Sequence, residues 1–286
     1  MLNRQKTNID NNPKIYLVAT PIGNVKDITY RAVEILSNSD IIYCEDTRIT
    51  ARLLSAYNIK TKLKCYHLFN ENELTSSILE DAKKGLVVSI VSDAGMPGIS
   101  DPGYLAVLKA IEEEVSVEII PGPSASLTAL VGSGIEPFKF TFIGFLNSNA
   151  SKKEKELDLL KNNEVPLILY EAPHRIEKTL ELIDKIMPKR HIVLARELTK
   201  QYEEYLRGTA KEILEVVDEI KGEMVIIISA ETKDEANESL LNLSIKDHYK
   251  YYIDLGHDSK DAMKLVAKDR GVSKSDIYQE IKGKNK

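Results

Sequence analysis

Apolar residues recur along the chain in short blocks of two alternating kinds. Ile15-Tyr-Leu-Val-Ala-Thr20 is a β-branched and apolar run with the composition of a buried strand. Residues 27–39 follow it with Ala32, Val33 and Leu36 at helical spacing. The pair repeats: a strand at 41–44 and a helix at 49–57, a helix at 71–84, the most strongly apolar strand at 86–92, a helix at 104–114 and a strand at 117–120. After a helical segment at 124–130, a second round places strands at 138–145, 167–170, 191–195 and 224–229, with helices at 151–162, 175–187 and 210–220 between them. Regular alternation of this kind predicts parallel βαβ units with helices on the sheet faces.

The punctuation of this pattern sets the expected organisation. A polar stretch at 1–13 reads as a flexible tail, 14–123 as one α/β domain and 124–231 as a second that packs closely on it. Residues 231–244 are polar and acidic and read as a linker. Helical patterns at 245–255, 259–270 and 273–281 follow, so 240–286 reads as a helical extension. Gly256 and Gly271 separate those helices, Ser259 and Ser273 stand at N-cap positions, and the outline is that of a helix-turn-helix. From residue 246 onward the extension carries ten Lys and Arg against seven Asp and Glu, in a chain whose net charge is −5. That excess suits RNA and a solvated helical surface about equally.

Composition changes this picture little. With 43% hydrophobic and 29% charged residues the chain has the balance of a folded globular protein, and an acidic total disfavours a wholly basic nucleic-acid binder. Cys44 and Cys65 have no paired spacing, so neither a disulfide framework nor a zinc site is expected, and the compartment reads as a reducing cytoplasm. No apolar run approaches the ~18 residues of a membrane span. The five histidines do not cluster at metal spacing, and no metal is expected.

Candidate chemistry gathers at strand ends. Eight of the fourteen glycines and five of the ten prolines lie between residues 85 and 144, mostly in Ser92-Asp-Ala-Gly-Met-Pro-Gly-Ile-Ser-Asp-Pro-Gly103 and Pro121-Gly-Pro-Ser-Ala125. Both loops directly follow predicted strands, where open parallel sheets bind ligands. Tight turns between packed elements would explain one such loop; two favour a ligand pocket. Neither is a phosphate loop or a dinucleotide fingerprint, which argues against nucleoside triphosphates and dinucleotides. A second constellation is charged: Glu45-Asp46-Thr47-Arg48, His67, Asn70-Glu71, Glu171 to Arg175, and Arg196-Glu197. Each has a bland reading as a helix cap or surface ion pair, and Asp46 is a good cap. Together they ring one edge of the sheets with acid, base and cation.

At these residues the chain resembles a known family. Val18-Ala-Thr-Pro-Ile-Gly-Asn24, Cys44-Glu-Asp-Thr-Arg48, Val91 to Gly103, Pro121-Gly-Pro-Ser-Ala125, Tyr170-Glu-Ala-Pro-His-Arg175 and Ala195-Arg-Glu-Leu-Thr199 occur in order. They resemble the motifs of the tetrapyrrole-methylase superfamily, and within it the members that act on small-subunit ribosomal RNA. Departures from that pattern are Cys44 and Leu68-Phe69. The resemblance implies two αβα domains, a C-terminal helix-turn-helix-like extension, a homodimer, and S-adenosylmethionine bound between the domains. It implies 2′-O-methylation of a cytidine in the decoding centre of 16S rRNA, within the 30S subunit. Carried over by motif, Pro21, Val91, Ser92, Asp93, Met96, Ser124, Ala125, Tyr170 or Glu171, and Leu198 would contact the cofactor.

A sulfonium donor is already activated, so alignment and desolvation would be the main work. A ribose hydroxyl is a weak nucleophile that a base could assist. Asp46 is the first choice by position, with Glu71 and Glu197 beside it. Glu45, Arg48, His67, Asn70, His174 and Arg175 would face RNA, with Arg48 and Arg175 on phosphates. Two other readings stay open: a tetrapyrrole or protein methyltransferase of the same fold, and a non-enzymatic ribosome-binding module.

Overall fold

The computed structural model describes residues 14–230 and 240–282. The expected tail at 1–13 and most of the expected linker lie outside the described residues. No described helix is long and apolar enough to cross a membrane.

The first sheet is built from β1 (Lys14–Val18), β2 (Ile41–Cys44), β3 (Lys62–Cys65), β4 (Val88–Val91) and β5 (Ser116–Ile120), in the order β3-β2-β4-β1-β5. All its pairings are parallel. β2 and β4 are buried along their whole length, as strands covered on both faces should be. On one face Ile15, Leu17, Ile41, Tyr43, Val88 and Ile90 pack on Ile78, Leu79 and Ala82 of α3 (Glu71–Lys83) and on Ala106 and Ala110 of α4 (Tyr104–Glu112). On the other, Val18, Ile42, Cys44 and Val91 meet Ala32 and Leu36 of α1 (Tyr30–Asn38) and Leu54 of α2 (Thr47–Ala56).

The second sheet holds β6 (Thr141–Phe145), β7 (Leu167–Glu171), β8 (Ile192–Arg196), β9 (Glu204–Gly208) and β10 (Met224–Ile228) in the order β6-β7-β10-β8-β9. Here the expectation of parallel units fails. Only β6 and β7 pair in parallel, while β10 runs antiparallel between β7 and β8, and β9 antiparallel to β8. β10 is Met-Val-Ile-Ile-Ile, fully buried, and takes the centre because it has no polar face to show to water. Its outer face packs on α6 (Ala150–Leu160), α7 (Ile176–Ile186) and α8 (Ala210–Leu214) through Leu157, Leu180, Ile183 and Ile213. The helix expected at 210–220 ends early; a 3-10 turn at Val217–Glu219 replaces its second half. The inner face packs on Ala129 and Leu130 of α5 (Ala125–Ser133), and on Ile22, which arrives from the loop after β1.

β3 and β9 do not stand out in the apolar pattern. Both are edge strands that mix polar with apolar residues, Lys-Leu-Lys-Cys and Glu-Tyr-Leu-Arg-Gly, and neither has a fully buried residue. Lysines on an exposed edge discourage pairing with other chains.

The extension is formed by α9 (Ile245–Asp254), α10 (Ser259–Arg270) and α11 (Lys274–Lys282). Met263, Val266, Ala267 and Ile277 form its own small core. A partly buried polar network around the buried His248 reinforces it. Tyr252 donates to Asp269 (2.5 Å), whose carboxylate also meets His248 Nε2 (3.2 Å), and Arg270 Nε donates to His248 Nδ1 (3.1 Å). Asp258, not Ser259, caps α10 by accepting from Lys260 and Asp261. Gly271 ends that helix in left-handed backbone, and Ser273 accepts from the Asp276 amide at the start of α11.

Candidate functional site

Because the first sheet is all parallel, the loops after β1, β2, β4 and β5 leave from one edge. The central order β4-β1-β5 makes three of them neighbours, and they interlock. Thr20 and Gly95 exchange both backbone hydrogen bonds (2.9 and 3.1 Å). The Thr20 hydroxyl donates to the Ser92 carbonyl at 3.2 Å, and the Ala19 amide to the Ile120 carbonyl at 3.1 Å. Gly122 leaves room for Ala19, whose Cβ would lie 2.9 Å from any Cβ at that position. Gly95 has φ +80°, a conformation that side chains other than glycine rarely adopt.

The structure therefore gathers Pro21, Val91, Ser92, Asp93, Met96, Ser124 and Ala125 into one edge. Val91 and Ser92 are buried, so these two would offer a ligand their backbone rather than side chains. Ser124 starts α5 without capping it; its hydroxyl instead pairs with Ser126 at 3.0 Å. The second sheet brings Leu198, which is buried with Ile22.

Strand alternation separates Tyr170 from Glu171. Tyr170 lies on the inner face, with its ring edge-on to Phe142 and Phe145 at 5.2 and 5.5 Å. Glu171 points to the opposite layer and is buried. It accepts from Lys153 (2.9 Å) and Thr179 (2.5 Å) and pairs with Arg175 Nε (3.0 Å). Burial alone would raise its pKa, but the bonds from Thr179, Lys153 and the Ala172 amide outweigh that and hold it below the ordinary value. Glu171 is thus the anchor of the outer helices α6 and α7, and Tyr170 is the residue of the pair that faces the inner side.

The charged edge also differs from expectation. Asp46 caps α2 by accepting from the Arg48 amide (2.8 Å) and holds the Arg48 guanidinium at 2.6 Å. The Arg48 hydrogen bonds are the main reason its carboxyl sits at about 2, far too acidic for a good proton acceptor at neutral pH. Glu71 is buried and accepts from the Tyr66 hydroxyl (3.1 Å) and the Gly103 amide (2.8 Å), which fastens α3 to the start of α4. Glu197 accepts from Lys200 (3.0 Å) and the Glu223 amide (3.2 Å). Burial pushes its pKa up, yet these bonds prevail and leave it lowered. None of the three expected bases is free. Arg175 is likewise committed, to Glu171 and to the Leu146 carbonyl at 2.6 Å, and Arg48 to Asp46, although Arg48 and His174 both remain exposed. Asn70 accepts from the His67 amide at 2.8 Å, and the buried His67 Nδ1 has no partner.

Spacing and composition do not single out Asp101, although it stands inside the long glycine-rich motif. Burial first, then the charges of Glu45 and Asp93, push its carboxyl up to about 7. Glu45 and Asp93 are raised as well, chiefly by burial. Asp93 accepts from the Asp46 amide at 3.0 Å, which ties the β4 loop to the β2 loop. Three carboxyls resisting ionisation together, beside loops that present backbone groups, suit a small ligand carrying positive charge. That is the character of a sulfonium donor.

A Ribosomal RNA small subunit methyltransferase I of Halalkalibacterium halodurans is 44% identical over 273 residues, 94% of each chain. The protein of that name from Bacillus subtilis is 42% identical over 269 residues, 92% of each chain. Among solved structures, diphthine synthase superposes with a TM-score of 0.62 at 16% identity, over 77% of this chain and 90% of its own. The uroporphyrin-III-C-methyltransferase of Thermus thermophilus gives 0.58 at 16% identity, over 76% and 94%. Residues 14–214 match the Tetrapyrrole (Corrin/Porphyrin) Methylases, and the chain belongs to that family.

Proposed function

We propose that the protein is an S-adenosylmethionine-dependent methyltransferase of 16S rRNA that methylates a cytidine 2′-hydroxyl in the decoding centre. In this reading it works in the cytoplasm as a homodimer, on the 30S subunit. The observation that carries it is the meeting of the β1, β4 and β5 loops at one sheet edge, with the carboxyls of Glu45, Asp93 and Asp101 alongside. The near full-length likeness to small-subunit rRNA methyltransferases selects RNA as acceptor.

When bound, the cofactor supplies an activated methyl group. Backbone groups at Pro21, Val91 to Asp93, Met96 and Ser124-Ala125 position it, while Ile22, Leu198 and Tyr170 exclude water. Arg48, His67, Asn70 and His174 line the acceptor side, with Arg48 on a phosphate. Asp101 holds the proton position better than Asp46, because its carboxyl titrates near neutral pH.

Incubation with labelled S-adenosylmethionine and unmethylated 30S subunits, followed by nuclease digestion, tests the proposal. 2′-O-methylcytidine from 16S rRNA is expected. Label in protein or in an added porphyrin would move the function to the tetrapyrrole or protein methylases, and absence of donor binding would leave only a ribosome-binding module. In the same assay Asp46→Ala should keep donor affinity and slow the reaction by less than about tenfold, where a lost general base would cost about 10²–10⁴.

A further inference from the structure

Gly23 follows Pro21-Ile22 in the loop after β1, and its backbone does not demand glycine. Its surroundings do. A Cβ there would lie 2.7 Å from Lys200 Cγ, 2.8 Å from the Leu198 carbonyl oxygen and 2.8 Å from Thr199 Oγ1. These atoms belong to the turn after β8 in the second sheet, so a loop of one sheet rests backbone-first on a turn of the other.

That turn is held in an unusual shape. Glu197 and Thr199 both have left-handed backbone, at φ 51° and 65°. Such residues persist where their surroundings fix them, and functional sites are where they collect. The fixing is visible. The Glu197 amide donates to the Glu223 carbonyl (3.1 Å), Lys200 reaches Glu197 and Glu223 (3.0 and 2.9 Å), and the Thr199 amide donates to Glu203 (2.5 Å). Thr199 Oγ1 is nevertheless buried without a hydrogen-bond partner. That oxygen lies 2.8 Å from where a Gly23 Cβ would be, so Gly23 is the surface this turn meets. Between these contacts, Ile22 and Leu198 share one apolar cluster, and Ile22 Cγ2 lies 3.4 Å from where a Gly95 Cβ would be. The chain of contact thus runs from the Thr199 turn through Gly23 and Ile22 to the β4 loop.

We propose that Gly23 and the Glu197–Lys200 turn form a spacer. Their contact sets the separation of the loops of the two sheets, and with it the spacing of Pro21 and Asp93 from Leu198. Gly23 is in this sense a positioning residue, and the inference rests on the proposed reading of these loops as the donor site.

Gly23→Ala in the full chain, titrated with S-adenosylmethionine by calorimetry, tests it. The added methyl should wedge the turn away and weaken donor binding about tenfold, or about 1.4 kcal/mol. Affinity for 30S subunits should be unchanged. Adding Thr199→Gly removes one of the three opposing atoms and frees the left-handed turn to shift the Leu198 carbonyl and Lys200 away, so the double variant should recover part of the donor affinity. A merely destabilised protein would lose affinity for both substrates and gain nothing from the second change. Equal donor binding by wild type and Gly23→Ala, or no recovery in the double variant, overturns the spacer. Wild-type protein that binds no donor overturns the donor site itself, and the spacer with it.

Discussion

Replacing Lys153 by methionine is expected to destabilise the protein by about 3 kcal/mol, the lower end of what breaking a buried ion pair costs. Lys153 and Glu171 are both almost fully buried, and the ammonium is shared between Glu171 and Thr179 at 2.9 and 2.6 Å. Removing it leaves a buried carboxylate that keeps only Thr179, the Ala172 amide and Arg175. The lower end applies because Arg175 remains. The loss should appear as a fall of about 6–12 °C in Tm for the sheet region. Removing the carboxylate as well, as in Lys153→Met with Glu171→Leu, should recover part of it, since the unpaired carboxylate is gone while Arg175 keeps the Leu146 carbonyl. A single variant as stable as wild type would show that Arg175 alone satisfies Glu171.

Asp101→Asn is expected to act oppositely on stability and on rate. Its carboxyl is pushed up to about 7 from an ordinary 3.8, first by burial and then by Glu45 and Asp93. The folded state therefore holds this proton more tightly than the unfolded chain. The contribution to stability is complete below 3.8 and is lost as the pH rises through about 7. Asparagine cannot ionise, so the variant should be more stable than wild type at pH 8, by a margin that vanishes near pH 4. Methyl transfer should nevertheless fall about 100-fold if Asp101 takes the ribose proton, and the rise of rate through neutral pH should disappear. A slower but more stable enzyme cannot owe its loss to unfolding. A variant with the wild-type rate would leave positioning as the source of catalysis.

How much the sequence discloses depends on the reach of each interaction. β2, β4 and β10 are legible because their apolar runs record burial on both faces. β3 and β9 are not, since an edge strand needs only one apolar face and looks like a loop. The antiparallel course of β10 is a choice made across the sheet, between β7 and β8, and leaves no local trace. The site shows the same division. The glycine and proline loops are visible because close backbone approach restricts residue type. Asp46 reads equally well as base or cap, and only its bonds to Arg48 decide. Arg175 reads as a phosphate ligand until the Leu146 carbonyl and Glu171 claim it. Asp101 is hidden because its proton affinity is set by Glu45, far away in sequence, and by burial.

The helical extension is closed by Met263, Val266, Ala267 and Ile277, by Tyr252 and His248 on Asp269, and by Arg270 on His248. A core this small cannot share the cooperativity of two five-stranded sheets. The molecule will therefore open in parts. Amide protons in α10 should exchange with solvent through local unfolding well before those in β10, and a single midpoint of denaturation will average two events.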